Sequence, residues 1–162
     1  RSNPPPLPSP ISAKLKKFVG IATEVSKLSK DRKCKVGAIA LGPAYEIRST
    51  GYNGFPRGVD DDVDARHERP AKYKYTAHAE ENLVAQAARM GTSLEGCTVI
   101  VTSLFPCATC ARLMIQAGIV RIVAPSIDLD NGRWAEDFKV AQEMFDEAKV
   151  EVMLYNETGE PQ

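Results

Sequence analysis

Residues 97–125 read CTVIVTSLFPCATCARLMIQAGIVRIVAP, and the order of residue types in this stretch decides the fold. Cys97 to Leu104 is an apolar, β-branched run with the character of a buried strand. Pro106 then suits the opening of a helix, because amides in a first turn have no intrahelical acceptor and proline lacks one anyway. The helical segment CATCARLMIQAG stops at Gly118, and Ile119 to Pro125 follows as a second strand. Strand, helix and strand in immediate succession imply a parallel pair joined by a crossover.

The alternation continues outward. WAEDFKVAQEMFDEAK (134–149) predicts a further helix and VEVMLYN (150–156) a last strand. Upstream, AEENLVAQAARM (79–90) has helix-forming composition and a glycine stop at Gly91. Ile11, Leu15, Phe18, Val19, Ala22, Val25 and Leu28 recur at three- and four-residue steps and predict a helix over 11–30. VGAIALG (36–42) and EIRSTGYN (46–53), joined by a short Gly-Pro turn, predict a hairpin. The expectation is an α/β fold with a mixed sheet: a parallel portion with helices on both faces, beside an antiparallel hairpin. Residues 54–77 show no steady period, and a connection of about twenty residues is long enough to suggest a functional loop. Residues 1–10, RSNPPPLPSP, predict a flexible proline-rich arm, leaving 11–162 as a single domain.

A chain of 162 residues buries an adequate core without covalent staples. Its 21 basic and 21 acidic residues cancel, so no broad basic field is available to hold a long polyanion. A small charged ligand is expected as partner, and no nucleic acid. No apolar run approaches the roughly 18 to 20 residues of a membrane span, so no membrane partner is expected either. Four cysteines, Cys34, Cys97, Cys107 and Cys110, are expected in a reducing, cytoplasmic compartment, where closely spaced thiols more often bind metal or do chemistry than form bridges.

Three readings compete for Cys107 and Cys110. A redox pair at a helix N-terminus after a strand has the right placement, but Ala108-Thr109 stands where Gly-Pro is usual. A structural zinc would need all four cysteines, yet Cys97 opens an apolar strand and Cys34 has no nearby cysteine partner. The third reading adds His78 of TAHAEENL (76–83), which also stands where a loop meets a helix. Two helix N-termini at one end of a sheet bring an imidazole and two thiolates together, with both dipoles favouring negative charge there. Three protein ligands leave a position for water, the pattern of a catalytic zinc. A dication, two thiolates and a neutral histidine sum to zero charge. Glu80, two residues after His78, is placed to carry protons, whereas the neighbouring Glu81 is expected merely to complement the helix N-terminus.

His78-Ala79-Glu80 followed by Pro106-Cys107-Ala108-Thr109-Cys110 resembles the H-x-E and P-C-x-x-C signature of zinc-dependent cytidine and deoxycytidylate deaminases. VGAIAL, STGYNGFPRGVDD, HAEEN and AARMGTSLEGCTVIVTSLFPCATCARLMIQAGI resemble the deoxycytidylate (dCMP) branch, phage-encoded members included, from about Ser29 to the end. The resemblance implies a three-layer α/β/α sandwich around a five-stranded mixed sheet. It implies one catalytic Zn2+ per chain on His78, Cys107 and Cys110, with Glu80 as general acid/base. The implied reaction is hydrolytic deamination of dCMP to dUMP and ammonia, supplying thymidylate synthesis in the cytoplasm of the cell or of a phage host. Asn53 would contact the sugar hydroxyl and the Ala79 backbone the pyrimidine edge. The phosphate would be met by one of the basic residues of SKDRKCK, of the long loop (Arg57, Arg66, Arg69, Lys72, Lys74) or by Arg133. His67 would line the pocket or join an extra metal site, although two candidate ligands, Cys34 and His67, are too few for a second zinc.

Many such deaminases are hexamers activated by dCTP and inhibited by dTTP. Here the implied regulatory turn is Gly51-Tyr52-Asn53-Gly54, and Arg89, close to three helical turns after His78, would share its face. Two alternatives stand beside this reading: a deaminase of 5-substituted dCMP, CMP or cytidine, and a zinc-binding module without turnover.

Overall fold

The computed structural model describes residues 3–7, 11–126, 132–156 and 158–162. Its elements run α1 (Ile11–Ser26), β1 (Gly37–Leu41), β2 (Ile47–Tyr52), a one-turn 3-10 helix (Asp64–His67), α2 (Lys72–Tyr75), α3 (Ala79–Met90), β3 (Thr98–Val101), α4 (Ala108–Gln116), β4 (Arg121–Pro125), α5 (Ala135–Glu147) and β5 (Glu151–Tyr155). The sheet order is β2-β1-β3-β4-β5. β1 is antiparallel to both β2 and β3, while β3, β4 and β5 are parallel.

This order places the helices. β2 and β3 run the same way, so β2-α3-β3, β3-α4-β4 and β4-α5-β5 are three crossovers advancing in one direction across the sheet. Crossovers of one hand advancing in one direction put their helices on one face. Accordingly Leu83, Ala87, Cys110, Met114, Phe138 and Phe145 of α3, α4 and α5 pack with Ala38, Ala40, Val99, Val101, Ile122 and Ala124. The alternate residues Ile39, Leu41, Ile100 and Val123 face Leu15 and Ala22 of α1. Successive strand side chains point to opposite faces, so one set of strands serves both cores. Each fully buried side chain of the size of Leu83, Met114 or Phe145 contributes about 1.5–3 kcal/mol. The result is the expected α/β fold, helix layers on both faces of a five-stranded mixed sheet.

Most element ends fall within two residues of the sequence reading, and the two that miss by more have identifiable reasons. α1 ends at Ser26, not Lys30, because the chain turns away: the Ser29 hydroxyl donates to the Asn53 carbonyl at 2.8 Å, anchoring it to the end of β2. β3 ends at Val101, three residues early, because the Thr102 hydroxyl accepts the Gly37 amide and Ser103 takes a left-handed φ of 69°. The long loop also carries more order than expected. Gly54 and Ala77 exchange backbone hydrogen bonds of 3.0 and 2.9 Å that close it at its base. Phe55 stacks on His67, and Arg66 lies over the Tyr75 ring. Of the expected arm, residues 3–7 are described, and the Arg121 guanidinium donates to the Pro5 carbonyl. Residues 1–2 and 8–10 of that arm lie outside the described residues.

Candidate active site

Both helices that open toward the site begin at a residue held in extended conformation. The Gly54–Ala77 bridge keeps the chain straight up to His78 (φ −74°, ψ 159°), the N-cap of α3. Cys107 (φ −75°, ψ 170°) follows Pro106 and is the N-cap of α4. The Glu81 carboxylate accepts the His78 amide at 2.9 Å, so Glu81 does complement the helix N-terminus as expected. Because β2 and β3 are parallel, the starts of α3 and α4 meet at the same end of the sheet, where crevices form in open α/β sheets. There His78 Nδ1 lies 3.3 Å from Cys110 Sγ and 3.4 Å from Cys107 Sγ. All three ligand atoms fall within 4.8 Å of one another. Tetrahedral zinc with ordinary bond lengths needs N···S separations of about 3.6 Å and S···S of about 3.8 Å. The donor set and its spacing therefore fit a zinc ion.

The electrostatics of these protein groups favour a thiolate. A hydrogen bond from the Cys110 thiol, reinforced against burial by one from His78, holds Cys107 down at about 4. Donating that bond to the Cys107 thiolate lifts His78 to about 9. Cys110, donating to Cys107 and buried, is pushed well above the usual thiol range. Glu80 stands beside the three, only 5% exposed, and burial raises its carboxyl, opposed by the nearby imidazole. A buried carboxyl with a raised pKa next to a metal-ligand cluster is the arrangement of a proton carrier.

His78, Glu80 and Cys107 line a cleft. Polar residues Asp31, Lys33, Asn53, Arg69, Lys72 and Thr76 line it, together with Cys34, Tyr73, Leu104, Phe105, Trp134 and Phe138. Trp134 stacks on Phe138 at 6.5 Å and meets Tyr73 edge-on at 5.9 Å, so aromatic side chains from α5 and α2 close the wall. Three cations, Lys33, Arg69 and Lys72, line the same cleft.

Lys72 is held by Asp31 at 2.9 Å, a pair whose side chains are 17% and 6% exposed. Burial alone would raise the Asp31 carboxyl, but the Cys34 and Lys33 amides and the Lys72 ammonium outweigh it and hold it below the usual range. A depressed folded-state pKa means the interaction is fully present above the ordinary value of 3.8 and is lost as pH falls through the folded value. Asp31→Ala is expected to lower stability by about 3 kcal/mol at pH 7, with the gap to the parent narrowing below pH 3.8. Urea midpoints measured across pH 2–7 (on the order of ten steps) check this.

Residues 12–126 match the family model described as the cytidine and deoxycytidylate deaminase zinc-binding region. The chain belongs to this deaminase family. It is 43% identical over 143 residues to an uncharacterized deaminase encoded in the luxG 3' region of Aliivibrio fischeri, covering 88% of this chain and 93% of that protein. It is 38% identical over 140 residues to a probable deoxycytidylate deaminase of Caenorhabditis elegans, covering 85% of this chain and 67% of that one. In fold it is similar to the dCMP deaminase of cyanophage S-TIM5, solved in apo form (TM-score 0.68, 23% identity, 88% of this chain and 98% of that) and in complex with dCMP and dUMP (TM-score 0.64, 23% identity, 91% and 98%).

The deaminase fold gathers some of the sequence-derived residues and not others. His78, Glu80, Cys107 and Cys110 come together, and Ala79, fully buried, lines the cleft with its backbone at the start of α3. Asn53 also lines it, but both ends of its amide are engaged: Nδ2 donates to the Cys34 carbonyl and Oδ1 accepts the Val36 amide, each at 2.9 Å. Its role in the structure is to clamp the chain entering β1 beside the site. Arg133 lies outside the cleft lining and donates to the Tyr73 hydroxyl, so the cations that line it are the three named above. Arg89 is exposed in the last turn of α3, away from the cluster. His67 is engaged with Phe55 and with the Asp61 carbonyl at 2.6 Å, and joins no metal-ligand cluster among the described residues.

The GYNG turn has a packing role that composition did not reveal. A Cβ on Gly51 would lie 2.2 Å from the Ala79 carbonyl and 2.5 Å from the Leu83 amide, so β2 touches the first turns of α3 only because residue 51 has no side chain. A Cβ on Gly54 meets nothing within 4 Å. The Tyr52 carbonyl accepts from Asn82 of the same helix at 2.7 Å. Gly51→Ala is expected to cost about 3 kcal/mol by overpacking, and Gly54→Ala less than about 1 kcal/mol; denaturant unfolding of the two variants makes the comparison. Also unforeseen were the Asp31–Lys72 pair and the aromatic wall, since neither pairing has a local signature.

Proposed function

We propose that this chain hydrolyses dCMP to dUMP and ammonia, with His78, Cys107 and Cys110 holding one zinc ion and Glu80 moving the protons. The observation that carries the reading is the buried Glu80 carboxyl beside a His-Cys-Cys cluster that borders a cleft lined by three cations. The names of the relatives, deoxycytidylate deaminases among them, support the substrate. The zinc would lower the pKa of a water molecule and present it as the nucleophile.

The chain's own residues do the rest. Glu80 as carboxylate accepts one proton of the attacking water and as carboxylic acid delivers it to the pyrimidine ring nitrogen. It then takes the remaining proton from the hydroxyl added to the ring carbon and passes it to the amine, which leaves as ammonia as the carbonyl forms and the carbon–nitrogen bond breaks. Burial favours its neutral form and so brings its pKa toward the working pH, where one group serves as both base and acid. The amides at the start of α3, Ala79 among them, face the pyrimidine edge, and Phe105, Trp134 and Phe138 supply the apolar wall against which the ring lies. Lys33, Arg69 and Lys72 offer charge-assisted donors to the 5'-phosphate, with Arg133 reaching the mouth through Tyr73. Asn53 meets the sugar through the lone pair and proton its backbone bonds leave free. The same reading makes the product dUMP a supply for thymidylate synthesis in the cytoplasm. It includes a hexamer, activated by dCTP and inhibited by dTTP, in which Gly51, Tyr52, Gly54 and Arg89 contribute to the regulatory surface.

An ultraviolet and ammonia-release assay of the purified protein against dCMP, CMP, deoxycytidine and 5-methyl-dCMP tests the assignment. Turnover of dCMP above the other three is expected. No turnover of any, with zinc bound, overturns it, and two zinc ions per chain overturn the single-metal site. Trp134, the one tryptophan of the chain, lines the cleft, so dUMP binding is expected to change its fluorescence. Hyperbolic kinetics unaffected by dCTP and dTTP would remove the regulatory part.

A further inference from the structure

The first helical residue of α4, Ala108, follows the metal-ligating Cys107, and its amide has no acceptor within its own helix. The Cys110 amide is directed to Cys107 Sγ at 3.4 Å. The Ala108 amide instead donates to Asp137 Oδ2, in the first turn of α5, at 2.7 Å. An aspartate in a first turn ordinarily serves its own helix; this one also meets the N-terminus of the neighbouring helix through a charge-assisted bond. Trp134, the N-cap of α5, and Phe138, within α5, flank it in sequence and line the cleft, and Phe138 packs edge-on against Phe105, two residues before Cys107. One hydrogen bond thus links the turn that presents Cys107 to the helix that carries the aromatic wall.

We propose that Asp137 is a positioning residue: by holding the Ala108 amide it fixes the direction in which Cys107 Sγ is presented, and sets the wall of the cleft relative to it. This rests on the zinc reading given above.

The test is zinc competition with a chromophoric chelator, together with the sulfur-to-metal absorption of the cobalt-substituted protein. Asp137→Ala is expected to weaken zinc binding by about 10-fold or more, the range of partners that orient metal ligands, and to alter the cobalt spectrum. Asp137→Asn, whose amide oxygen accepts the same N–H, is expected to restore both, and Glu136→Ala, the exposed neighbour, to change neither. Ala108→Pro removes the donor at a position where proline is tolerated, following a residue already extended. In that background Asp137→Ala is expected to cause no further loss, which keeps the test open even if the single alanine variant folds poorly. An alanine variant with the parent's zinc affinity and spectrum, or an asparagine variant as impaired as alanine, overturns the proposal. A parent chain that binds no zinc overturns the underlying metal reading instead.

Discussion

Glu80→Gln is expected to lower kcat by about 10^4 while leaving one zinc per chain. The amide has the shape of the carboxylic acid but neither accepts the water proton nor returns it. Because the one carboxyl is asked to serve every proton transfer, the loss belongs at the upper end of the range for general acid–base catalysis. Glu80 is 5% exposed and burial already disfavours its charge, so a neutral isostere costs the fold little, and the melting temperature is expected to match or exceed the parent's. Steady-state kinetics, metal analysis and thermal melting on one preparation check all three. A variant that retains the parent's rate would falsify the role of Glu80, and a parent without turnover whose Glu80 variant is indistinguishable would make the site a zinc-binding module.

Cys110→Ser is expected to remove zinc on dialysis, more than a 100-fold loss of affinity, and with it all measurable turnover. The effect exceeds that of any orienting partner because a ligand itself is deleted. Cys110 is fully buried, its Sγ sits 3.3 Å from His78 Nδ1, and among the described residues the cluster holds no thiol besides Cys107 and Cys110. The variant has a second expected signature. The Cys110 thiol is the largest influence holding Cys107 at about 4, and a serine hydroxyl still donates in its place. Cys107 is therefore expected to stay reactive toward alkylation at acidic pH, whereas Cys110→Ala, which has no donor, lets Cys107 rise and slows it relative to the chelator-treated parent. In the zinc-loaded parent both thiols are expected to resist alkylation until chelator is added. A Cys110→Ser protein that keeps its zinc, or a loaded parent whose thiols react freely, would count against the metal site and restore the redox reading of the pair.

Much of the fold was legible because its signals are local. The 79–90 helix is α3 to the residue, since Gly91 takes the left-handed conformation (φ 68°) that ends a helix and glycine adopts freely. The strand-helix-strand reading of 97–125 became β3, α4 and β4 in parallel, because apolar runs separated by one helix have a single right-handed way to pack. The misplaced ends of α1 and β3 share one cause. Ser29, Thr102 and Ser103 each spend a hydroxyl on a distant backbone group, Asn53, Gly37 and Lys35 respectively, and such bonds end an element without a mark in the neighbouring sequence.

The site divides the same way. His78, Glu80, Cys107 and Cys110 were readable because each motif is short and sits at a helix start, where orphan amides and helix dipoles already favour anions and metal ligands. The partners of the surrounding polar groups were not readable. Asn53 is engaged by the Cys34–Val36 backbone, Lys72 by Asp31, Arg133 by Tyr73, and the Ala108 amide by Asp137. Periodicity, stop residues and closely spaced donors act over a few residues, so the chain alone pointed to its elements, its family and its candidate metal-ligand set. Which side chain meets which across 17 to 60 positions depends on strand order and on the stacking of helices upon the sheet, and this only the tertiary structure decided.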